Sequence, residues 1–362
     1  MEQTHRTGEL VLKLAQGCNL SCPHCYWYQT GRSPSDSARM NEEVVQQLLM
    51  RAGEYIRSNR LSRFSFGLHG GEPLLFPKQR MIGLLEEIKI LGQECNCSMS
   101  TRLQTNAVLL DREWASIFAK YKTNITASID GPASINDKRR IDRLGRGTHD
   151  KIVKGLGFLK AVEHPFSLLA VYDESSEASV ICDHLISKLG ARAIDVLFPD
   201  GGIVDLEKMA NFYNDLFDLW WSKYAQQEVL IRISYGVFQA VLGRPPVMEA
   251  LGRSPMSGVV VDTDGTFLPG DTISSSQNVM IPRSHSVFNS SISKFLETPI
   301  WRSVHEKSVS VPSQCIGCRV EAACGGGFLP HRWTPERGFD SPSKFCVSLK
   351  SMYTHAAKRL LA

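Results

Sequence analysis

Three cysteines within eight residues constrain this chain more than any other feature of its sequence. They stand as Cys18-x3-Cys22-x2-Cys25, directly after a β-rich run at Glu9–Ala15. This spacing holds three thiolates on one loop, close enough to occupy three corners of one metal cluster. Four protein ligands normally close a structural site, so three indicate a position left open for a substrate or cofactor. The alternative is a zinc site completed by a distant ligand such as His24.

A second group of four cysteines lies near the other end of the chain, as Cys315-x2-Cys318-x5-Cys324 followed by Cys346. Four thiolates close a site without further ligands, and the spacing alone leaves a zinc knuckle as the alternative to an iron–sulfur cluster. The remaining cysteines lack ligand spacing and are expected to be inert thiols: Cys95, Cys97 and Cys182. The N-terminus lacks a signal-peptide pattern, so we expect a cytoplasmic protein whose reduced thiols bind metal rather than form disulfides.

Composition excludes several classes of protein. With 43% hydrophobic and 22% charged residues, 362 residues can bury a sizeable core, which argues against disorder. The 41 basic and 37 acidic residues leave a net charge of +4 without long basic runs, so nucleic acid is not an expected partner. No apolar segment is long enough to span a membrane, and no membrane partner is expected.

Short β-rich runs alternate with stretches of helical periodicity up to about residue 200, which predicts an α/β fold with a parallel sheet. Six such units predict a partial (βα)6 barrel resembling a TIM barrel. The predicted strands are Glu9–Ala15, Arg63–His69, Ser98–Thr105, Asn124–Asp130, Phe166–Asp173 and Ala193–Pro199. Beyond a helix at Asp205–Tyr224 the sequence becomes rich in Gly, Ser and Pro, with a hairpin turning at Asp264-Gly265. We therefore divide the chain into a barrel, 1–228, and a small loop-rich domain, 229–362.

The marked polar segments follow the predicted strands. They are the Cys18 loop, His69-Gly-Gly-Glu72, Gln104-Thr-Asn106 and Ser128-Ile-Asp-Gly131. Because the carboxyl ends of parallel strands meet at one edge, these segments converge on one site.

A Cys-x3-Cys-x2-Cys loop after the first strand of a βα series resembles the radical S-adenosylmethionine superfamily. The resemblance covers about residues 8–200. It implies a [4Fe–4S] cluster on Cys18, Cys22 and Cys25, with S-adenosylmethionine bound at the fourth iron. One electron, from a flavodoxin or ferredoxin, then yields a 5′-deoxyadenosyl radical that abstracts hydrogen from an unactivated carbon.

The resemblance also implies residues that contact S-adenosylmethionine. The stretch Gly70-Gly71-Glu72-Pro73 is similar to the family's segment that receives the cofactor's ammonium group. Ser128, Asp130 and Arg140 match a segment that contacts its ribose and carboxylate, with Arg139 as the alternative to Arg140. Asn106 and Leu197 are weaker matches at strand ends. Either His24 or Tyr26 is expected to meet the adenine.

The C-terminal cysteines resemble the SPASM module of radical enzymes that modify peptides. That module usually holds two auxiliary [4Fe–4S] clusters, and Cys315, Cys318, Cys324 and Cys346 match the outer one. The usual ligands of the inner cluster are replaced by Gly270 and Phe328, so we predict two clusters in all, one of them auxiliary. The next residue, Asp271, matches a carboxylate proposed as the catalytic base in sulfatase-maturing relatives. A turn or capping role for Asp271 is the alternative.

The stretch Cys324-Gly-Gly-Gly-Phe-Leu-Pro-His331-Arg332 resembles enzymes that form three-residue cyclophanes in ribosomal peptides. The resemblance implies a precursor peptide as substrate, in which an aromatic ring carbon is joined to the β-carbon two residues on. For His331 and Arg332, packing around the cluster and contact with substrate are equally open. We expect no appended leader-binding domain, so a separate partner is one way to bind the leader. The alternatives are thioether formation, formylglycine formation in a sulfatase, and a non-catalytic iron–sulfur or zinc protein.

Overall fold

The computed structural model describes residues 6–28, 31–202, 204–273 and 281–361. Six parallel strands, separated by helices, build the first part of the chain. They are β1 (Glu9–Ala15), β2 (Arg63–Gly70), β3 (Ser98–Thr105), β4 (Asn124–Ser128), β5 (Phe166–Val171) and β6 (Ala193–Leu197). Each strand begins at the predicted residue and ends within two residues of the predicted end. The predicted α/β partial barrel is confirmed.

Twelve α-helices occur among the described residues. The first seven are α1 (Glu42–Asn59), α2 (Lys78–Glu94), α3 (Arg112–Tyr121), α4 (Ala133–Arg139), α5 (His149–Ala161), α6 (Ala178–Cys182) and α7 (Leu206–Leu219). The other five are α8 (Arg232–Val241), α9 (Ile292–Leu296), α10 (Pro299–Val309), α11 (Glu321–Cys324) and α12 (Cys346–Leu361). None of the described helices is long and apolar enough to cross a membrane.

Three short strands extend the sheet at both edges. They are β7 (Leu230–Ile231), β8 (Val259–Val261) and β9 (Phe267–Pro269), and the order across the sheet is β7-β6-β5-β4-β3-β2-β1-β8-β9. Strand β7 runs parallel to β6, and β8 runs parallel to β1. Strands β8 and β9 form the predicted antiparallel hairpin, in which Gly265 has a φ of +85° that other residues rarely adopt. The division at residues 228 and 229 stays a prediction, since β7 and β8 continue the same sheet.

Local sequence explains the limits of helix α1 and the burial pattern of strand β2. The Asn41 side chain accepts a hydrogen bond from the Val44 amide (2.8 Å), and two glutamates in the first turn favour the helix dipole. Helix α1 ends at Arg60, whose backbone is left-handed with a φ of +51°. In β2, Phe64, Phe66 and Leu68 alternate with less buried residues and pack into the core under the helices.

The C-terminal part contains more helix than the sequence analysis predicted. The longest of its helices, α12, buries Leu349, Met352, Tyr353 and Ala356, which recur at helical spacing. This side packs against α7, and Ser348 Oγ donates a hydrogen bond to the Leu206 carbonyl (2.6 Å). Glycine, serine and proline dominate the surrounding loops, and their abundance concealed this short apolar pattern.

Candidate functional site

The carboxyl ends of the barrel strands surround a cavity of about 470 Å³. The predicted residues that line it are Cys18, Cys22, His24, Cys25, Tyr26, Gly70, Gly71, Glu72, Asn106, Ser128, Arg140 and Leu197. Two further predicted residues, Asp130 and Asp271, do not line the cavity, but each contacts residues that do. The cavity thus brings residues from six strands to one place.

The first cysteine loop faces this cavity and is fixed through its backbone. The Cys18 amide donates to the Pro34 carbonyl (2.9 Å), while Arg143 Nη2 donates to the Cys18 carbonyl (2.6 Å). Burial, followed by nearby charges that include the other thiolates, raises the pKa of Cys18. Burial is likewise the largest cause that raises the pKa of Cys22 to about 11. Three neighbouring thiols, of which Cys18 is buried and the other two are partly buried, repel one another once ionised and fit a cationic iron cluster, which stabilises their deprotonated forms.

A buried ion pair stands beside these thiols. Arg140 Nη2 donates to Asp130 Oδ1 (2.8 Å), which also accepts a hydrogen bond from the Val171 amide (2.9 Å). Burial opposes the Asp130 charge, yet Arg140 and the hydrogen bonds outweigh it, and the carboxyl pKa is lowered. Among the described residues, Asp130 Oδ2, Arg140 Nε and His24 Nδ1 have no hydrogen-bond partner. These three polar atoms fit a polar cofactor such as S-adenosylmethionine.

The sequence left open whether Arg140 or Arg139 is the predicted cofactor contact, and the two side chains have different surroundings in the structure. Arg140 lines the cavity, whereas Arg139 Nη1 donates to the carbonyls of Val171 (3.2 Å) and Tyr172 (3.0 Å). His24 and Tyr26 both line the cavity, so the adenine contact stays open between them. Burial, with the Arg140 charge next in size, lowers the His24 pKa to about 3, so this imidazole is neutral at pH 7.

Glu72 is buried, and neighbouring groups already occupy its carboxylate. Oε1 accepts from Thr105 Oγ1 (2.7 Å) and from the Leu74 amide (3.0 Å), and Oε2 accepts from the Asn106 amide (2.8 Å). Burial raises the Glu72 pKa to about 7. The carboxylate therefore holds the turn after β3, and its predicted contact with the cofactor's ammonium stays a prediction.

The two glycines before Glu72 are required by the protein itself. Gly70 has a φ of +143°, and a Cβ there would lie 2.4 Å from the Ala15 carbonyl oxygen. A Cβ on Gly71 would lie 2.3 Å from the Gly17 carbonyl oxygen. The end of β2 thus packs directly against the backbone that leads into the cysteine loop, a reason for these glycines that sequence analysis did not identify.

Asn106 and Ser128 are also held by neighbouring groups. Asn106 Nδ2 donates to the Asn19 side chain (2.8 Å) and approaches Cys18 Sγ (3.5 Å), which ties β3 to the cysteine loop. Ser128 Oγ accepts from Gln104 Nε2 (2.8 Å).

Asp271 belongs to a partly buried charged network that sequence analysis missed. Lys13 is fully buried in β1 and forms an ion pair with Asp271, while its Nζ lies 3.0 Å from His69 Nδ1. Tyr26 donates a hydrogen bond to Asp271 Oδ2 (2.6 Å). Burial opposes the Asp271 charge, but Lys13, His69 and Tyr26 outweigh it and lower the carboxyl pKa to about 2. The sequence did contain a signal for this network, because Lys13 lies in a predicted strand and a buried lysine requires a partner.

The second cysteine group gathers around a glycine-rich turn. Gly325, Gly326 and Gly327 have φ values of +60°, +94° and +81°, and a Cβ on Gly326 would lie 3.7 Å from Cys315 Sγ. Burial, followed by the nearby Cys346 and Cys318, raises the Cys315 pKa. Burial also raises the Cys324 pKa, to about 12, and each of the other three cysteines adds to that rise. Four thiols that influence one another in this way fit one closed cluster. Across the described ranges, no three Cys, His, Asp or Glu side chains form a single-ion site.

His331 and Arg332, at the end of the Gly-Gly-Gly-Phe-Leu-Pro-His-Arg stretch, have different surroundings. His331 Nε2 lies 3.3 Å from Asp200 Oδ1 at the cavity, and its ring packs edge-on against Phe345. Arg332 is 1% exposed, and its Nη1 donates to the carbonyls of Lys307 (2.9 Å) and Ser310 (3.1 Å).

An apolar cluster lies between the hairpin and α10, next to the positions where the inner cluster's ligands would stand. Its buried members are Met256, Ile273, Val304 and Leu329, with Phe328 packed against them. A Cβ on Gly270 would lie 2.6 Å from the Met256 side chain. Hydrophobic packing therefore occupies this region of the described structure.

Comparison with known proteins agrees with this geometry. Residues 12–177 match the family model of the Radical SAM superfamily. These residues form a radical S-adenosylmethionine domain. The chain is therefore a radical S-adenosylmethionine enzyme, and S-adenosylmethionine and [4Fe–4S] clusters are its cofactors, as predicted.

Similarity to SPASM-type radical enzymes extends along nearly the whole chain. A cysteine-type anaerobic sulfatase-maturating enzyme of Clostridium perfringens is 24% identical, with 97% of this chain and 96% of the relative covered. A serine-type anaerobic sulfatase-maturating enzyme of Bacteroides thetaiotaomicron is 22% identical over 90% of this chain and 83% of the relative.

Solved structures share the fold. Native anSMEcpe with bound AdoMet and Cp18Cys peptide superimposes with a TM-score of 0.83 at 22% identity, covering 98% of this chain and 97% of the other. Streptococcus suis SuiB bound to precursor peptide SuiA gives a TM-score of 0.66 at 16% identity, covering 94% and 76%.

Proposed function

We propose that this radical S-adenosylmethionine enzyme matures a ribosomal precursor peptide by joining an aromatic ring carbon to the β-carbon of a residue two positions on. The observation that carries this proposal is the second cysteine group. One closed set of four thiols lies beside an apolar cluster that contains Phe328, where a SPASM module with two auxiliary clusters has further ligands. This reduced set accompanies the Gly-Gly-Gly-Phe-Leu-Pro-His-Arg stretch that resembles cyclophane-forming enzymes.

The proposed reaction removes two hydrogens and forms one carbon–carbon bond. One hydrogen atom leaves the β-carbon, and the ring loses one proton and one electron when aromaticity returns. A cluster held by Cys18, Cys22 and Cys25, with S-adenosylmethionine, would supply the hydrogen abstraction, and a cluster held by the second cysteine group would supply an acceptor for the ring electron. A flavodoxin or ferredoxin supplies the electron that starts the reaction.

The chain's own residues support these roles through charge and burial. Cys315 and Cys324 lie close enough to Arg332 to affect its pKa, although burial, the largest cause, lowers that pKa overall. A buried guanidinium beside thiolates stabilises additional negative charge, as a cluster that accepts an electron requires. Beside the cavity, Asp271 is ionised at neutral pH and accepts a hydrogen bond from Tyr26, so it suits a group that orients this tyrosine, while its lowered pKa makes it a weak acceptor for the ring proton.

A second candidate function is formylglycine formation in a sulfatase. Its support is the similarity to sulfatase-maturating enzymes over 97% of this chain. Peptide binding is common to both candidates, since solved relatives hold a Cp18Cys peptide or the precursor peptide SuiA.

Anaerobic turnover with two peptides separates these candidates. The cluster-loaded enzyme is incubated with S-adenosylmethionine, reductant and either the Cp18Cys peptide or an aromatic-containing peptide encoded beside the gene. Loss of two hydrogens, mapped by fragmentation to an aromatic residue and the residue two positions on, is the expected result with the second peptide. Conversion of the cysteine in Cp18Cys to formylglycine, with the second peptide unchanged, would overturn the cyclophane proposal.

A further inference from the structure

An ion pair that is not among the predicted cofactor contacts lines the cavity. Asp195 lies in β6 and Arg232 begins α8, directly after β7, so the pairing of β6 with β7 brings them together. Arg232 Nε donates to Asp195 Oδ2 at 2.7 Å. Neither residue belongs to a cysteine loop or to the Glu72 turn.

One oxygen of this carboxylate has no partner. Asp195 is 3% exposed, and among the described residues its Oδ1 accepts no hydrogen bond. The amides of Val196 and Ile233 lie near the carboxyl and favour its ionised form, as Arg232 does, but burial is the largest influence and raises the pKa. Leaving a buried acceptor unsatisfied is costly, so an acceptor at a cavity wall is matched when a ligand brings a donor.

Arg232 presents the complementary groups. In the described part of the chain its one hydrogen bond is the Nε contact with Asp195, and its side chain is 42% exposed. The terminal Nη1 and Nη2 atoms therefore stay available as donors where the residue lines the cavity. An open acceptor beside open donors, with no net charge on the pair, complements a neutral amide better than it complements an ion.

We propose that Asp195 and Arg232 form a subsite for an amide group of the peptide substrate, with Asp195 Oδ1 accepting from its N–H and Arg232 donating to its carbonyl oxygen. The subsite rests on the proposed function in requiring a peptide in this cavity. It sets which peptide segment enters and in which register, and it takes no part in bond breaking.

Position favours the peptide over S-adenosylmethionine as the source of this amide-like group. The unpartnered atoms of His24, Asp130 and Arg140 gather beside the first cysteine loop. Asp195 and Arg232 instead lie at β6 and β7, the last two strands at one edge of the sheet, where Leu197 is the one residue predicted to contact S-adenosylmethionine. Arg232 is 42% exposed, so the pair borders solvent as well as the cavity, as a subsite for a long peptide requires.

Equilibrium binding tests the subsite without relying on turnover. The cluster-loaded enzyme with S-adenosylmethionine is titrated into the fluorescein-labelled peptide encoded beside the gene, and separately into labelled Cp18Cys peptide. In Asp195→Asn, the side-chain oxygen serves Arg232 and the NH2 faces the cavity, so an acceptor becomes a donor without a change of size. We expect at least one of the two peptides to bind about 10-fold more weakly. Arg232→Met should weaken the same peptide similarly.

Controls make the result decisive. Asp218→Asn weakens a surface ion pair with Arg359 and a contact with His355, all outside the lining of the cavity, and should leave peptide binding unchanged. The S-adenosylmethionine dissociation constant, measured without peptide, should match wild type in all three variants. Peptide binding within twofold of wild type in Asp195→Asn, or weakening of S-adenosylmethionine binding instead, would overturn the subsite. So would failure of both peptides to bind the wild-type enzyme.

Peptide variants identify the amide. Replacing each Asn or Gln by Leu tests side-chain amides, and N-methylation of single residues tests backbone amides. One such change should weaken wild-type binding and have little further effect in Asp195→Asn. A peptide that binds in this manner but returns unmodified would leave the subsite standing and refute the cyclophane proposal.

Discussion

The two cysteine groups of this chain occupy opposite kinds of environment. The first lines a cavity with His24 and Arg140, which have unpartnered polar atoms, as does Asp130 beside Arg140. The second is wrapped by a glycine-rich turn, with apolar residues packed nearby. Three ligands beside open polar groups suit a site that exchanges a cofactor, whereas four ligands in a closed setting suit a cluster that transfers electrons.

Charge is arranged differently as well. Around the first group, acids and bases come as buried pairs, Arg140 with Asp130 and Lys13 with Asp271. Near the second group, the buried Arg332 is held by backbone carbonyls. Pairing balances these acids and bases at the first site, whereas Arg332 and Lys350 both act on Cys315 at the second site, and nearby cations favour a reduced cluster.

Cysteine replacement should break this comparison most severely. Cys22→Ala removes one ligand of the first group, so formation of 5′-deoxyadenosine should fall to background. Cys346→Ala removes a ligand of the second group, so 5′-deoxyadenosine should still form while the cross-linked product disappears. Anaerobic turnover followed by chromatography and mass spectrometry measures both products.

Cys182→Ala is the matched control, because this cysteine is buried and lies outside both groups. It should retain both products. Equal loss of 5′-deoxyadenosine in Cys22→Ala and Cys346→Ala would contradict the division of labour.

The two buried arginines should differ in their effect on stability. Arg140→Met leaves the Asp130 charge buried without its partner and should lower the free energy of unfolding by about 3 to 5 kcal/mol. Arg332→Met loses hydrogen bonds to carbonyls but strands no carboxylate, so about 1 to 3 kcal/mol is expected. Denaturant unfolding of the apoprotein measures both.

Replacement of an exposed arginine is the control for these two variants. Arg359 binds Asp218 at the surface, so Arg359→Met should cost no more than about 1 kcal/mol. A larger loss in Arg332→Met than in Arg140→Met would reverse our assignment of the stronger ionic pairing to the first site.

Replacement of a glycine should have opposite effects on stability in the turn at the second cysteine group and in an exposed helix. Gly326 has a φ of +94°, and a Cβ there would lie 2.5 Å from Pro312, so Gly326→Ala should destabilise the protein by about 1 to 3 kcal/mol. Gly157 is exposed within α5 with open space around it, so Gly157→Ala should stabilise by about 0.5 to 1 kcal/mol.

Iron analysis shows whether Gly326→Ala affects the second cluster. Gly326→Ala should lose the iron of the second cluster while retaining S-adenosylmethionine cleavage, and Gly157→Ala should keep its full iron content. Normal iron content in Gly326→Ala would show that this turn is not needed to hold the second cluster.

Sequence periodicity and spacing predicted the strands and placed most candidate residues correctly at one cavity, because parallel strands end at a shared edge. Partners distant in sequence were not predictable. Lys13 meets Asp271, and Asp195 meets Arg232, only after β1 approaches the C-terminal hairpin and β6 approaches β7. Helix α12 was missed because loops rich in small residues precede its short apolar pattern.

The smallest expected effect concerns pH and tests Glu72. Burial raises its pKa to about 7, so the carboxylate forms as pH rises through neutrality. If Glu72 receives the cofactor's ammonium group, S-adenosylmethionine should bind more tightly at pH 7.5 than at pH 5.5, by on the order of 5-fold. Calorimetric titration measures the change, and a free amino group, whose pKa is about 7.7 to 8.0, stays mainly protonated across this interval.

Glu72→Gln removes this charge, and because an amide has one acceptor oxygen it keeps the hydrogen bond from Asn106 but loses those that Oε1 accepts from Thr105 and Leu74. Gln keeps an acceptor for the Asn106 amide but carries no charge, so its affinity for S-adenosylmethionine should be independent of pH over the same interval. A wild-type affinity that is also flat would show that Glu72 is spent on Thr105, Leu74 and Asn106, as its observed hydrogen bonds allow. In that case the first site would bind the cofactor through the unpartnered groups of His24, Asp130 and Arg140, and its openness would depend on those three residues.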